Sequence, residues 1–279
     1  MNEILENEPG IRFGISASLF LIFALAEYWF PKRPTNIPSI RRWIRWPNNI
    51  ALSLINALLV RVLLPLGAVG FASFIQERGL GIFNFNNLSF WLPHWLEVLI
   101  SVLLLDLAIY TQHYLFHKIP ILWRLHRMHH TDLVFDVTTG SRFHPVEIIL
   151  SLGIKLIVIT LLGAPAIGVL IFEILLNATA LFNHSNLNVP LSTDAFLRLF
   201  LVTPDMHRIH HSILPMETNS NFGFNLPWWD RVFGTYRDQP QAGHTKMTIG
   251  IELFRKPAEL RVDRLLTQPF RSGTHIERR

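Results

Sequence analysis

The sequence predicts an all-α integral membrane helical bundle with a cytosolic cap of histidine-bearing helices. Three observations predict it. Half of the 279 residues are hydrophobic and only 16% are charged, a balance few soluble chains of this length show. The apolar residues gather into runs close to the roughly 20 residues that a bilayer crossing requires. Eight of the thirteen histidines fall into three clusters placed at the ends of such runs: His113-x-x-x-His117, His126-x-x-His129-His130 and His207-x-x-His210-His211.

The first run, Ile11 to Phe30, is broken only by Glu27. Ala24-Leu25-Ala26 has the look of a signal-peptidase site, yet acidic residues precede the run (Glu3, Glu6, Glu8) and it continues through Trp29-Phe30. A retained anchor is therefore expected. The second run, Ile50 to Ile75, carries Arg61 and Pro65, which predicts a kinked span or a helix partly facing protein. The third, Trp95 to about Leu115, leads straight into the first histidine cluster. Val146 to Leu162 and Ala166 to Phe182, joined by Gly163-Ala164-Pro165, read as an α-hairpin. This amounts to about four spans or span-equivalents plus a hairpin. Three segments result: residues 1–94 with the amino-terminal spans, 95–237 with the clusters, and a basic tail over 238–279.

Sidedness follows from the basic residues. Lys32, Arg33, Arg41, Arg42 and Arg45 crowd the link between the first two spans, whereas the next link carries only Arg78. Basic links stay in the cytosol. Counting spans from there places the amino terminus outside and all three clusters on the cytosolic face. An odd change in span count between clusters would have separated them. The net charge of +5 fits an inner face beside anionic lipid, and no aromatic-basic motif for nucleic acid is present. Between Leu122 and His130, arginines and Trp123 alternate with histidines, as in a helix lying at headgroup level. From Lys246 onward, eight basic and four acidic residues surround apolar ones, so the tail either rests on the membrane surface or packs on the cap.

Residues at i, i+3 and i+4 of a helix share a face, so each cluster can aim several imidazoles at one point. Neutral imidazole ligates iron, zinc, copper or nickel without a thiol, which suits a chain containing no cysteine. Eight such ligands exceed the needs of one ion, and three convergent clusters imply two metal ions close together. Asp106, Tyr110, His113 and His117 lie within an arc of roughly 60° on one helix. An aspartate inside an apolar helix is costly unless paired. Asp106 and Tyr110 are thus candidates to bond or relay to ligand imidazoles, with a structural pair between Asp106 and Arg61 or Lys155 as the alternative. Glu173, Asn177 and His184 form a second polar stripe, which makes His184 a ninth candidate ligand. His144, before Pro145, is a candidate ligand or positioning residue at a helix start. Asp230 can serve an imidazole or, more simply, pair with Arg231. His94, His244 and His275 lack company and are expected to be interfacial or solvated.

These motifs resemble the fatty acid hydroxylase/sterol desaturase superfamily of integral-membrane di-iron enzymes. The resemblance runs from about Asp106 to Tyr236. It rests on the three clusters together with Arg142-x-His144-Pro145, Asn183-His184-Ser185-Asn186, Thr203 to His211 and Trp229 to Tyr236. It implies two iron ions, molecular oxygen as oxidant, and a lipid substrate (sterol, fatty acyl or related) whose C–H bond is hydroxylated or desaturated. Electrons would come from an external donor of ferredoxin or cytochrome type, since the chain offers no Gly-rich dinucleotide loop and no cysteine for an iron–sulfur cluster. His113, His117, His126, His129, His130, His207, His210 and His211 are the ligands it implies, with His184 next. Two other classes compete. A membrane metal-binding or transport protein would spread its histidines at several depths. A zinc-dependent hydrolase would want a carboxylate beside a cluster, and only Asp132 qualifies.

Overall fold

A computed structural model describes residues 2–34, 40–85 and 91–272, and all regular structure among them is helical. A short α1 (Asn2–Glu6) precedes α2 (Glu8–Trp29). The second run becomes two helices, α3 (Arg42–Leu63) and α4 (Gly67–Glu77). The break falls at Pro65, whose carbonyl accepts from Arg61 Nη1 at 2.8 Å. Both residues that predicted a kink are therefore in it. α5 (His94–Lys118) ends at Ile119-Pro120, and Pro120 opens α6 (Pro120–His130); proline suits a first helical turn because its missing N–H has no intrahelical partner there.

The hairpin forms as expected from α7 (Pro145–Leu162) and α8 (Ala166–Asn183). Gly163 terminates α7 in the left-handed conformation, φ 67°. Here glycine is required twice over, because the turn also lies backbone to backbone against Gly81, with Ile82 N and Phe83 N donating to the Leu161 and Leu162 carbonyls at 2.9 Å each. With α3 and α4 taken together as one broken crossing, five segments among the described residues are long and apolar enough to span a membrane. This is the architecture of a multi-pass membrane protein. Its apolar centre is the cluster formed by Ala68, Val69 and Ala72 of α4, Leu105 and Ile109 of α5, Ile159 of α7, and Val169 and Phe172 of α8.

One end of this bundle is polar and carries the cap. Glu27 explains the single interruption of the first run. It is fully buried, accepts from the backbone N–H groups of Val137 and Asn186 at 3.0 Å each, and pairs with Arg42 at 3.5 Å. A buried carboxylate is tolerable only when paired in this way. Arg45 does the same for the turn after α6: it contacts Asp132 at 2.6 Å, Asp136 and Thr138, and Asp136 caps the 3-10 turn Val137–Ser141. The ends of α2 and α8 are joined as well, by Lys32 N to Asn186 O at 2.8 Å and Asn188 N to Phe30 O at 2.9 Å. Hence the basic first link, the end of α6 and the end of α8 all meet at one end of the bundle. Beyond α8 follow α9 (Leu191–Leu197) and α10 (Pro204–His210), whose Thr203 cap accepts from Met206 N.

The tail packs on the cap. Arg124 and Arg127 donate to carbonyls of Pro269, Gln268 and Arg271, and Leu265 is fully buried with Leu52 and Met128.

Candidate metal centre

Nine of the described histidines converge on two adjacent groups. His113, His117, His126, His130 and His210 form the first; His129, His184, His207 and His211 form the second. Within each group one ring nitrogen per residue lies within 4.8 Å of all the others. All eight cluster histidines and His184 are thus brought together, and no residue of the three clusters is left out. Helix geometry explains the sorting. Residues four apart differ by about 40° around the axis, whereas one three residues on is displaced about 60° the other way. Each i, i+4 pair accordingly shares a group: His113 with His117, His126 with His130, and His207 with His211. The middle histidine of each longer cluster crosses to the opposite group, His129 to the second and His210 to the first. The two H-x-x-H-H clusters are therefore used in opposite senses.

The donor set suits metal. Bonds of about 2.1 Å place neighbouring donors of one ion about 3.0–3.4 Å apart. His184 Nε2 lies 3.1 Å from both His129 Nε2 and His207 Nε2, and His130 Nε2 lies 3.2 Å from His126 Nε2. Buried ring nitrogens without a hydrogen-bond partner among the described residues include His113 Nε2, His117 Nε2, His210 Nε2 and both nitrogens of His211. Such orphans are costly unless something binds them. Burial pushes the imidazoles of His184 and His210 down to about 3, and those of His129, His130, His207 and His211 well below the ordinary histidine value. At neutral pH these rings are uncharged and ready to ligate.

Four rings are held by their far nitrogen, the arrangement that fixes tautomer and aim in metal sites. His113 Nδ1 meets the Phe222 carbonyl, His210 Nδ1 that of Ser220 and His184 Nδ1 that of Ala180, each at 2.8 Å, while His126 Nδ1 meets Glu147 Oε1 at 2.6 Å. His184 is at once the C-cap of α8 and a member of the second group.

Residues 98–235 match the fatty acid hydroxylase family. Through this region the chain belongs to the fatty acid hydroxylase family. It is 31% identical over 163 residues to an ornithine lipid hydroxylase of Rhizobium tropici, covering 57% of this chain and 48% of that one. It is 29% identical over 144 residues to human cholesterol 25-hydroxylase, covering 50% and 51%. A very-long-chain aldehyde decarbonylase of Oryza sativa subsp. japonica is 28% identical over 234 residues, 82% of each chain. The chain spans about half the length of the first two relatives. No solved structure matches it significantly.

The remaining candidates of this fatty acid hydroxylase family member fall elsewhere. Asp106 and Tyr110 hydrogen-bond no histidine among the described residues. Asp106 Oδ2 accepts from Trp229 Nε1 at 2.8 Å and Leu226 N at 3.3 Å; Tyr110 bonds Thr235 Oγ1 at 2.8 Å and stacks on Phe233. Both tie α5 to the loop whose Phe222 carbonyl holds His113. Neither alternative partner of Asp106 is engaged with it, since Lys155 pairs with Glu173 at 2.5 Å and Arg61 belongs to the kink. Asp230 likewise corrects the ion pair expected with Arg231. Its oxygens accept from Phe222 N at 2.8 Å, Gly223 N at 2.7 Å and Thr235 Oγ1 at 2.6 Å, because two adjacent buried N–H groups need an acceptor more than an exposed guanidinium does. His144 joins neither group. It caps α7, accepting from Val146 N at 3.2 Å. Asp132 is committed to Arg45 and Thr139.

His94 is exposed beside Glu97, as expected. His244 is not: it is buried 3.8 Å from Asp205, where burial lowers its imidazole to about 4, because Arg33 binds the His244 and Met247 carbonyls and draws the tail inward. His275 lies outside the described residues. The sequence reading passed over Glu147. Its signal was present as the lone acid, in the first turn, of a largely apolar helix, a position that costs too much to be idle.

Proposed function

We propose that this chain is a membrane-bound di-iron oxygenase that uses molecular oxygen and electrons from an external donor to hydroxylate a C–H bond of a lipid. The observation that carries this reading is the pair of contiguous all-histidine groups of five and four rings. Nine convergent imidazoles suit iron among the borderline metals, and bound iron would supply the activation of dioxygen and the removal of hydrogen from an unactivated carbon. The clusters meet at one end of the bundle, which argues against a relay across the bilayer. The site's carboxylates are engaged, Asp132 with Arg45 and Glu147 with His126, which argues against a hydrolytic base. Hydroxylation is favoured over desaturation because the relatives from Rhizobium tropici and human are named hydroxylases.

The chain's own residues have defined parts in this reading. Glu147 and the carbonyls of Phe222, Ser220 and Ala180 would aim the imidazoles, so that little rearrangement accompanies turnover. The aromatic shell of Phe135, Phe222 and Trp123 would keep water from the reacting carbon. With no cysteine in the chain, reduction would come from a ferredoxin or cytochrome at the cytosolic side.

The test is isotopic. Membranes containing the chain, supplied with a ferredoxin reducing system and lipid extract under labelled dioxygen, should yield a lipid bearing one heavy oxygen. His129→Ala and His210→Ala should abolish that label while His275→Ala retains it. Full incorporation by either ligand variant would overturn the assignment.

A further inference from the structure

Five phenylalanines and Trp123 surround the histidines, and they differ in which group they touch. Trp123, Phe116 and Phe222 lie against rings of the first group only. Phe135 lies against His184, His207 and His211 of the second. Among the described residues, two phenylalanines touch both. Phe143 stacks on His129 of the second group at 4.5 Å and 11°, and lies 6.2 Å from His126 of the first. Phe224 stands 6.2 Å from His113 of the first group and 6.2 Å from both His184 and His207 of the second.

Each of these two rings also stands beside membrane-spanning helices. Phe224 packs against the apolar cluster of α4, α5, α7 and α8, and of the two α5 histidines it meets His113, one turn nearer the apolar part of that helix. Phe143 immediately precedes α7, and its carbonyl accepts from Asn56 Nδ2 of α3 at 2.9 Å. Both rings are half-buried, whereas Phe135 and Phe222 are closed off. Their backbones are held: the Phe224 carbonyl accepts from Asn183 Nδ2 at 3.0 Å, and Asp230 binds the N–H of the preceding Gly223.

We propose that Phe143 and Phe224 are the two walls between which the lipid carbon is presented, and that their size sets which position of the substrate is oxidised. The inference rests on the oxygenase reading above. A carbon attacked by a centre built from both groups must reach their junction. A lipid reaches it from the hydrocarbon side. A methylene or ring carbon has no polar handle, so only apolar walls can fix its position. Phe143 and Phe224 are the rings that satisfy all three conditions.

Photolabelling of the full chain tests this. Protein in phospholipid nanodiscs, with iron measured on the same sample, would be irradiated with stearic acid carrying a mid-chain diazirine and, separately, with a diazirine cholesterol, and adducts mapped by peptide mass spectrometry. With at least one probe, adducts are expected at Phe143 and Phe224, suppressed by excess unlabelled stearate or cholesterol. Phe224→Trp, which enlarges that wall, should cut adduct yield about tenfold without lowering iron content, and Phe224→Leu should shift yield toward Phe143. Iron-loaded protein labelled only on outer helix faces by both probes would overturn the proposal while leaving the oxygenase reading intact. Labelling at both rings in protein that binds no iron would keep the walls and remove the oxygenase.

Discussion

At the scale of the residue, an imidazole is aimed most firmly at a metal when its other nitrogen is bonded. His126 shows this most clearly, because Glu147 Oε1 sits 2.6 Å from its Nδ1. Glu147→Gln keeps a side-chain acceptor but removes the charge that strengthens the bond, and should weaken metal affinity about 10–100-fold. Equilibrium dialysis against a competing chelator would measure it; unchanged affinity would deny Glu147 an orienting part. The eight cluster histidines were legible because i, i+3 and i+4 spacing is written in one dimension. Their sorting into five and four was not. It depends on how three helices are turned toward one another, and neither the opposite use of the two H-x-x-H-H clusters nor the place of His184 follows from spacing alone. Glu147 and the carbonyls of Phe222, Ser220 and Ala180 were invisible for a related reason, since a backbone carbonyl carries no sequence signal.

At the scale of the element, apolar runs were read almost to their ends because bilayer thickness fixes their length. The break between α3 and α4, the Gly163 turn and the Pro145 start each had a local cause in proline or glycine. The loop over residues 221–230 did not. Its conformation is set by Asp230 within it and by Asp106 and Asn183 from two distant helices, so no short motif announces it. Asp106 tests how this loop acts. Asp106→Asn leaves an oxygen for Trp229 Nε1 and should retain turnover within a few-fold. Asp106→Leu leaves two N–H groups without their acceptor, at a cost of about 1–3 kcal/mol each, and should lower both the melting temperature and the bound metal. Loss of turnover in Asp106→Asn with metal and stability unchanged would show instead that the carboxylate takes part in the chemistry.

At the scale of the whole molecule, the basic first link, the histidine groups and the packed tail occupy one end of the bundle, while the link near Arg78 and the Gly163 turn occupy the other. The charge bias between links predicts that the histidine end faces the cytosol. A chain without cysteine makes this simple to test. Asn219→Cys and Arg78→Cys, both at exposed positions, should react with a membrane-impermeant maleimide from opposite sides of sealed vesicles, Asn219→Cys only in inside-out ones. Labelling of both from the same side would contradict the topology.

The central claim is that the two histidine groups each hold an iron ion, and metal analysis addresses it most directly. Protein purified in mild detergent without metal-chelating resin, or reconstituted anaerobically with ferrous iron, should contain about two irons per chain, given one ion for each convergent group. His129→Ala and His210→Ala, which remove a ligand from different groups, should each fall toward one. A folded, monodisperse protein that binds no iron above background after reconstitution would contradict the account.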